Sequence, residues 1–175
     1  MSEGKEDFIV NEINRRFPGV EVQVKENKWG RKRIWVKVPR EMFRDFMKFL
    51  KELDPDAHYS IGIEEDAGET LDFSIHFLLM YEDAPGVSMI VKTSVPKDNP
   101  VLPDISDIFP ISLQFEREAM EMVGIDFENA PDKRRLFLPD DFPEGIYPLR
   151  HDEKGIPEEM VKNAGHPYLL RRGGK

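Results

Sequence analysis

LDFSIHFLLMYEDAPGVSMIVKTSVP, residues 71–96, decides the fold. Leu71, Phe73, Ile75, Phe77, Leu79 and Tyr81 occupy alternate positions, and so do Val87, Met89, Val91, Thr93 and Val95. A period of two puts one apolar set on one side of a pleated strand, with Ser74 and His76 on the other. The linking EDAPG is turn chemistry, and so short a link favours antiparallel neighbours. Upstream, across the turn DAGE, Tyr59, Ile61 and Ile63 alternate as a further strand. Further back, Val20, Val22 and Val24 alternate, as do Ile34, Val36 and Val38, with Asn27 to Gly30 between them. That is a β-hairpin.

Two helices complete the pattern. Ile9, Ile13 and Phe17 recur at helical spacing beside Phe8, and Pro18-Gly19 ends that run. In PREMFRDFMKFLKELDP, Phe43, Phe46, Met47, Leu50 and Leu53 form an apolar stripe opposite charged residues. The order α-β-β-α-β-β-β predicts an α+β domain: an antiparallel or mixed sheet with helices on one face, over residues 1–96.

From Pro96 the pattern changes. KDNPVLPD is a linker. Asp104 to Phe109 is expected to be a short helix capped by Asp104, and Ile111 to Val123 a second one ending at Gly124 in the C′ position. Residues 97–124 therefore form a linker with two short helices. Residues 125–175 carry prolines at 131, 139, 143, 148, 157 and 167, which rule out long helices and central strands. This stretch is too apolar for disorder and too long for an ordinary loop. It reads as an extended C-terminal tail that wraps a partner's surface, with wrapping of its own domain as the alternative.

Composition narrows the function. With 175 residues the chain suits one domain plus an appended segment. Charged residues make up 34%, an enrichment found in heat-adapted proteins. There is no cysteine, so the chain forms no disulfide and supplies no thiolate to a metal or iron–sulfur cluster. The start MSEGKEDF lacks a secretory apolar core, and no apolar run approaches the roughly 20 residues of a membrane span. The net charge of −9 is concentrated between residues 56 and 130, which argues against nucleic acid. KENKWGRKR, residues 25–33, is a small basic patch around Trp29, expected at a solvated hairpin tip.

Catalytic signals are weak. The histidines, His58, His76, His151 and His166, have no metal-ligand spacing. Neither a phosphate loop nor a nucleophile motif is present. Glu118 and Glu121, three apart on one helix, could act as a carboxylate pair. The dense charge of FEREAMEMVGIDFENAPDKRRLFLPDDF, residues 115–142, instead suits a self-locking network or a docking interface.

That segment, extended to FPEGIYPLRHD, resembles the diagnostic region of the 30 kDa subunit family of respiratory complex I. The family includes counterparts in membrane-bound nickel–iron hydrogenases and formate hydrogenlyases. Glu116, Arg117 and Glu118 match its E-R-E; Met122, Gly124, Ile125 and Phe127 match its helix end. Pro131, Asp132, Arg134 and Arg135 match its turn, and Pro148, Leu149, Arg150 and Asp152 match its P-L-R-x-D. Glu121 replaces the usual Asp, Val123 the usual Phe, Asn129-Ala130 a Gly-His pair, and His151 a Lys. These departures fit a divergent, hydrogenase-type branch.

The resemblance implies a non-catalytic assembly subunit on the cytoplasmic face of a membrane-bound complex. It implies no bound cofactor, since nickel–iron and iron–sulfur centres belong to partner subunits. The implied neighbours are the large, 49 kDa-like subunit and iron–sulfur subunits. Glu116, Arg117, Glu118, Arg134, Arg135 and Arg150 would form the charge network, with Pro131 and Pro148 setting the tail's path. Rival readings are a subunit of a quinone- or sulfur-reducing relative, an acid–base enzyme using Glu118, Glu121 or His151, and a peptide-binding module with an open sheet edge.

Overall fold

In a computed structural model, residues 4–80 and 86–151 are described. Tyr81 and most of the following turn lie outside that range, as do Asp152 and His166.

The strands and helices follow the two periodicities. Helix α1 spans Lys5–Arg16, hairpin strands β1 and β2 span Glu21–Glu26 and Lys32–Lys37, and helix α2 spans Arg40–Leu53. Strands β3, β4 and β5 span His58–Asp66, Thr70–Leu79 and Val87–Pro96. The five strands lie in the order β1-β2-β5-β4-β3. All neighbours are antiparallel except β2 and β5, which run parallel in the middle of the sheet. The parallel pairing is possible because β2 returns to β5 through α2 and the β3–β4 hairpin, a connection long enough for a crossover.

The odd-numbered residues of β4 and β5 face the helices. Leu71, Phe73, Ile75, Phe77, Met89 and Val91 are fully buried with Ile9, Ile13, Phe43, Phe46 and Leu50. Phe17, Phe46 and Phe49 meet ring to ring, with centroids 5.2 to 5.8 Å apart. Close packing of such rings adds to the area they remove from water.

Strand β3 departs from its expected single face. A β-bulge between Tyr59 and Ile61 shifts the register. Tyr59 stays buried against Phe77, but Ile61 and Ile63 turn to the open face of the sheet. Gly62 replaces them on the core side, and the gap admits Phe115. A Cβ at position 62 would lie 2.7 Å from the Phe115 Cβ.

Beyond Pro96 the chain makes a second, two-stranded sheet that alternation could not reveal. Strand β6, Val101–Pro103, runs parallel to β7, Asp126–Glu128, with helix α3, Ser112–Met122, as their crossover. Phe127 of β7 stands edge-on to Phe73 of β4 at 5.3 Å, which seats the small sheet on the large one. The helix expected at Asp104–Phe109 is a single hydrogen-bonded turn: the Ile108 and Phe109 amides both donate to the Ile105 carbonyl. Pro110 and the start of α3 leave no length for propagation.

The partner-wrapping expectation for the tail is revised as far as the chain is described. Residues 125–151 wrap their own domain, with Ile125 and Phe127 fully buried and Phe142 nearly so. The remaining positions, 152–175, lie outside the described residues.

Candidate functional site

Helix α3 sorts its charges by face, about 100° per residue. Glu116 points into the core and is fully buried. Its Oε1 accepts from the Ile105 amide at 3.1 Å and the Ser112 hydroxyl at 2.9 Å, while Oε2 has no donor. The carboxyl also lies against that of Asp104, where a bond requires a proton on one of them. Burial, reinforced by this neighbour, raises Glu116 to about 8. It is therefore a neutral acid at pH 7, not a member of an ion-pair network. Glu118, half-buried, faces β3, where burial together with its charge raises Glu64 to about 7.

Arg117 and Glu121 lie one helical turn apart and face the segment after β7. Arg117 donates from Nε to the Arg134 carbonyl at 2.8 Å and from Nη2 to the Arg135 carbonyl at 2.7 Å. It also pairs with Asp132 at 3.6 Å. Glu121 accepts the next three amides: Leu136 at 3.0 Å, Phe137 at 2.6 Å and Leu138 at 3.4 Å. One side chain takes carbonyls and the other takes amides, so residues 134–138 are gripped by their backbone. Successive amides turned toward one anion form a nest. The sequence marks Glu121 as a replacement for Asp and as half of a carboxylate pair with Glu118, not as a backbone acceptor; its place four residues after Arg117 is the signal for this role.

The remaining motif residues extend the grip. Asp132 accepts from the Arg134 amide and pairs with its guanidinium at 2.7 Å; both contacts hold the carboxyl well below the usual range. Arg135 donates to the carbonyls of Pro139 and Phe142, and its guanidinium lies 5.7 Å from the Phe142 ring centre. Arg150 donates to the Val123 carbonyl at the end of α3 and stacks on Tyr147 at 4.5 Å. The His151 amide then reaches Asp66 of β3. Pro131 is exposed and Pro148 half-buried at the two ends of this course.

Gly124 is required twice. Its φ of +75° suits a residue without a Cβ, and an added Cβ would sit 2.5 Å from the Tyr147 ring. Asn129, at φ +65°, stands where the resembled pattern has Gly; Asn is among the side chains that tolerate this region.

The expected self-locking network of paired side-chain charges is thus mostly replaced by arginine-to-carbonyl and glutamate-to-amide contacts. Asp132 is the one carboxylate that meets Arg117 and Arg134 together. A shallow cleft of about 370 Å³ lies beside Arg117, Glu121, Leu138 and Tyr147. The carboxylate an acid–base enzyme would need there is already occupied by three amides. Among the described residues no group of His, Cys, Asp or Glu could hold a metal ion. Among them, too, no helix is long and apolar enough to cross a membrane.

A mixed sheet covered on one face, a small parallel sheet seated on it and a backbone-gripping helix define a scaffold that fixes an outward-facing segment. The sequence profile of the family described as respiratory-chain NADH dehydrogenase, 30 Kd subunit, matches residues 36–159, and the chain belongs to that family. It is 70% identical over 171 residues to the membrane-bound hydrogenase subunit beta of Pyrococcus furiosus, covering 98% of this chain and 99% of that one. It is 31% identical to a subunit of the F(420)H(2) dehydrogenase of Methanosarcina mazei, covering 89% of this chain and 96% of the other. Its fold matches a chain in the membrane-bound sulfane sulfur reductase, an archaeal respiratory membrane complex, with a TM-score of 0.73 at 24% identity, covering 98% and 96% of the two chains.

Proposed function

We propose that the chain is a non-catalytic assembly subunit of a complex I-like membrane-bound hydrogenase, docked on the large nickel–iron (49 kDa-like) subunit and neighbouring iron–sulfur subunits at the cytoplasmic face. In this reading it binds no cofactor itself. One observation carries the docking proposal. The backbone of residues 134–138 is bonded inward to α3, and the Leu149 amide is bonded to the Met122 carbonyl at the end of α3, while the side chains of Phe137 (59%), Leu149 (50%) and Arg134 are exposed. Apolar groups held outward on a fixed backbone lose little entropy on binding, and aromatic residues and Arg are enriched at interfaces. The near-complete coverage by a hydrogenase subunit supports the choice of complex.

The test uses the assembled complex. Phe137→Ser with Leu149→Ser should keep the fold of the lone chain by circular dichroism and abolish co-purification with the large subunit. Co-purification at the wild-type level would refute the docking surface.

A further inference from the structure

The basic hairpin patch is the one sequence feature that the docking segment leaves unused. It lies at the β1–β2 edge of the sheet, while α3 packs on β3 at the opposite edge. Its tip is built, not loose: the Asn27 side chain accepts the amides of Trp29 and Arg31, both at 3.0 Å, and Gly30 turns at φ +75°. The tip holds Trp29 out at 72% exposure.

Elsewhere among the described residues cations have partners: Arg16 pairs with Glu52, Arg44 with Asp107 and Lys97 with Asp66. Lys25, Lys28, Arg31, Lys32, Arg33 and Lys37 pair with no carboxylate among the described residues. Lys25 and Lys28 instead lie over the rings of Trp35 and Trp29, at 5.0 and 4.3 Å. A groove of about 580 Å³ opens between this hairpin and the start of β5, with Trp35 and Leu78 in its wall. Two carboxylates of the ribbon, Glu21 and Glu26, lie in register opposite Lys37 and Lys32, so six cations face two anions, and Lys25 stands directly opposite Arg33. The ribbon keeps a net positive charge and one like-charge cross-strand pair, a cost that an anionic partner reduces.

We propose that this hairpin is a second docking surface, which takes an acidic protein face carrying an apolar side chain. The cations would meet the carboxylates, and Trp29 with the Trp35–Leu78 groove would take the apolar group. The patch is small on a chain of net charge −9, so a long polyanion or an anionic bilayer would also meet the acidic remainder. A compact acidic protein face avoids that repulsion. The proposal stands apart from the Phe137–Leu149 surface.

The test titrates the full chain with three probes: a Glu-rich 20-residue peptide bearing one Phe, a 20-nucleotide oligo-dT, and phosphatidylglycerol-containing vesicles. Peptide binding should weaken steeply with salt. It should fall about 30-fold or more in the Lys28→Glu, Arg31→Glu, Lys32→Glu, Arg33→Glu variant and about tenfold in Trp29→Ala, the loss typical of an interface anchor. An equal reversal at Arg15, Arg16, Lys48 and Lys51 should leave most of the binding. Tighter binding of oligo-dT or vesicles than of peptide would overturn the proposal, as would equal losses in the two reversal variants. A lower melting temperature of the hairpin variant without any probe would overturn it as well, because the cations would then already hold an internal partner.

Discussion

Replacing Glu116 by Gln isolates a single buried proton. Folded Glu116 is raised from 4.5 to about 8, whereas the unfolded chain releases that proton near 4.5. Below pH 4.5 both states hold it, so the full stability is present. Between pH 4.5 and about 8 only the folded state holds it. Stability therefore falls as pH rises, by up to about 1.4 kcal/mol per pH unit, and levels off above the folded value. The whole window amounts to about 3–5 kcal/mol, a large share of a domain's net stability. Gln keeps an oxygen for the Ile105 amide and Ser112 hydroxyl and offers Asp104 an N–H, but has no proton to lose. Urea unfolding of both proteins from pH 5 to 9, followed by tryptophan fluorescence, gives the difference curve. Glu64 and the lowered aspartates are common to both chains and cancel. The variant should overtake the wild type as pH rises. Parallel curves would refute the neutral-acid assignment.

Other perturbations test the packing and the grip. Gly124→Ala should cost about 2–4 kcal/mol, combining a positive φ with the Tyr147 clash, whereas Gly145→Ala, also at positive φ but with open space, should cost about 1 kcal/mol; chemical denaturation compares them. Gly62→Ala should destabilise by about 1–3 kcal/mol by forcing Phe115 off β3, read in the same assay. Glu121→Ala orphans three amides, so hydrogen exchange of residues 132–147 should quicken while β4 and β5 stay protected. Unchanged exchange in that segment would mean the carboxylate does not hold it.

How far the sequence is legible follows from what carries each feature. Strands β4 and β5 are written in side-chain alternation, which burial on one face enforces. The β3 bulge is not, because Tyr59, Ile61 and Ile63 keep perfect alternation while the backbone changes register beneath them. The pairing of β6 with β7 depends on contacts across a helix, and three residues carry no period. At the site, the charged residue types of α3 were visible, and they suggested pairing with one another. Their partners are main-chain carbonyls and amides, which every residue possesses and no letter marks. Glu116 was misassigned for a related reason: its burial follows from the rotation of α3 on β3, not from its own polarity.

Arg117 and Glu121 hold atoms common to nearly all amino acids. Positions 136–138 must avoid proline, which has no amide hydrogen to offer, but their side chains are otherwise unconstrained by the grip. The same track can therefore display different outward side chains without being rebuilt. Related chains could recognise dissimilar neighbours by exchanging a few letters along one unchanged course of backbone.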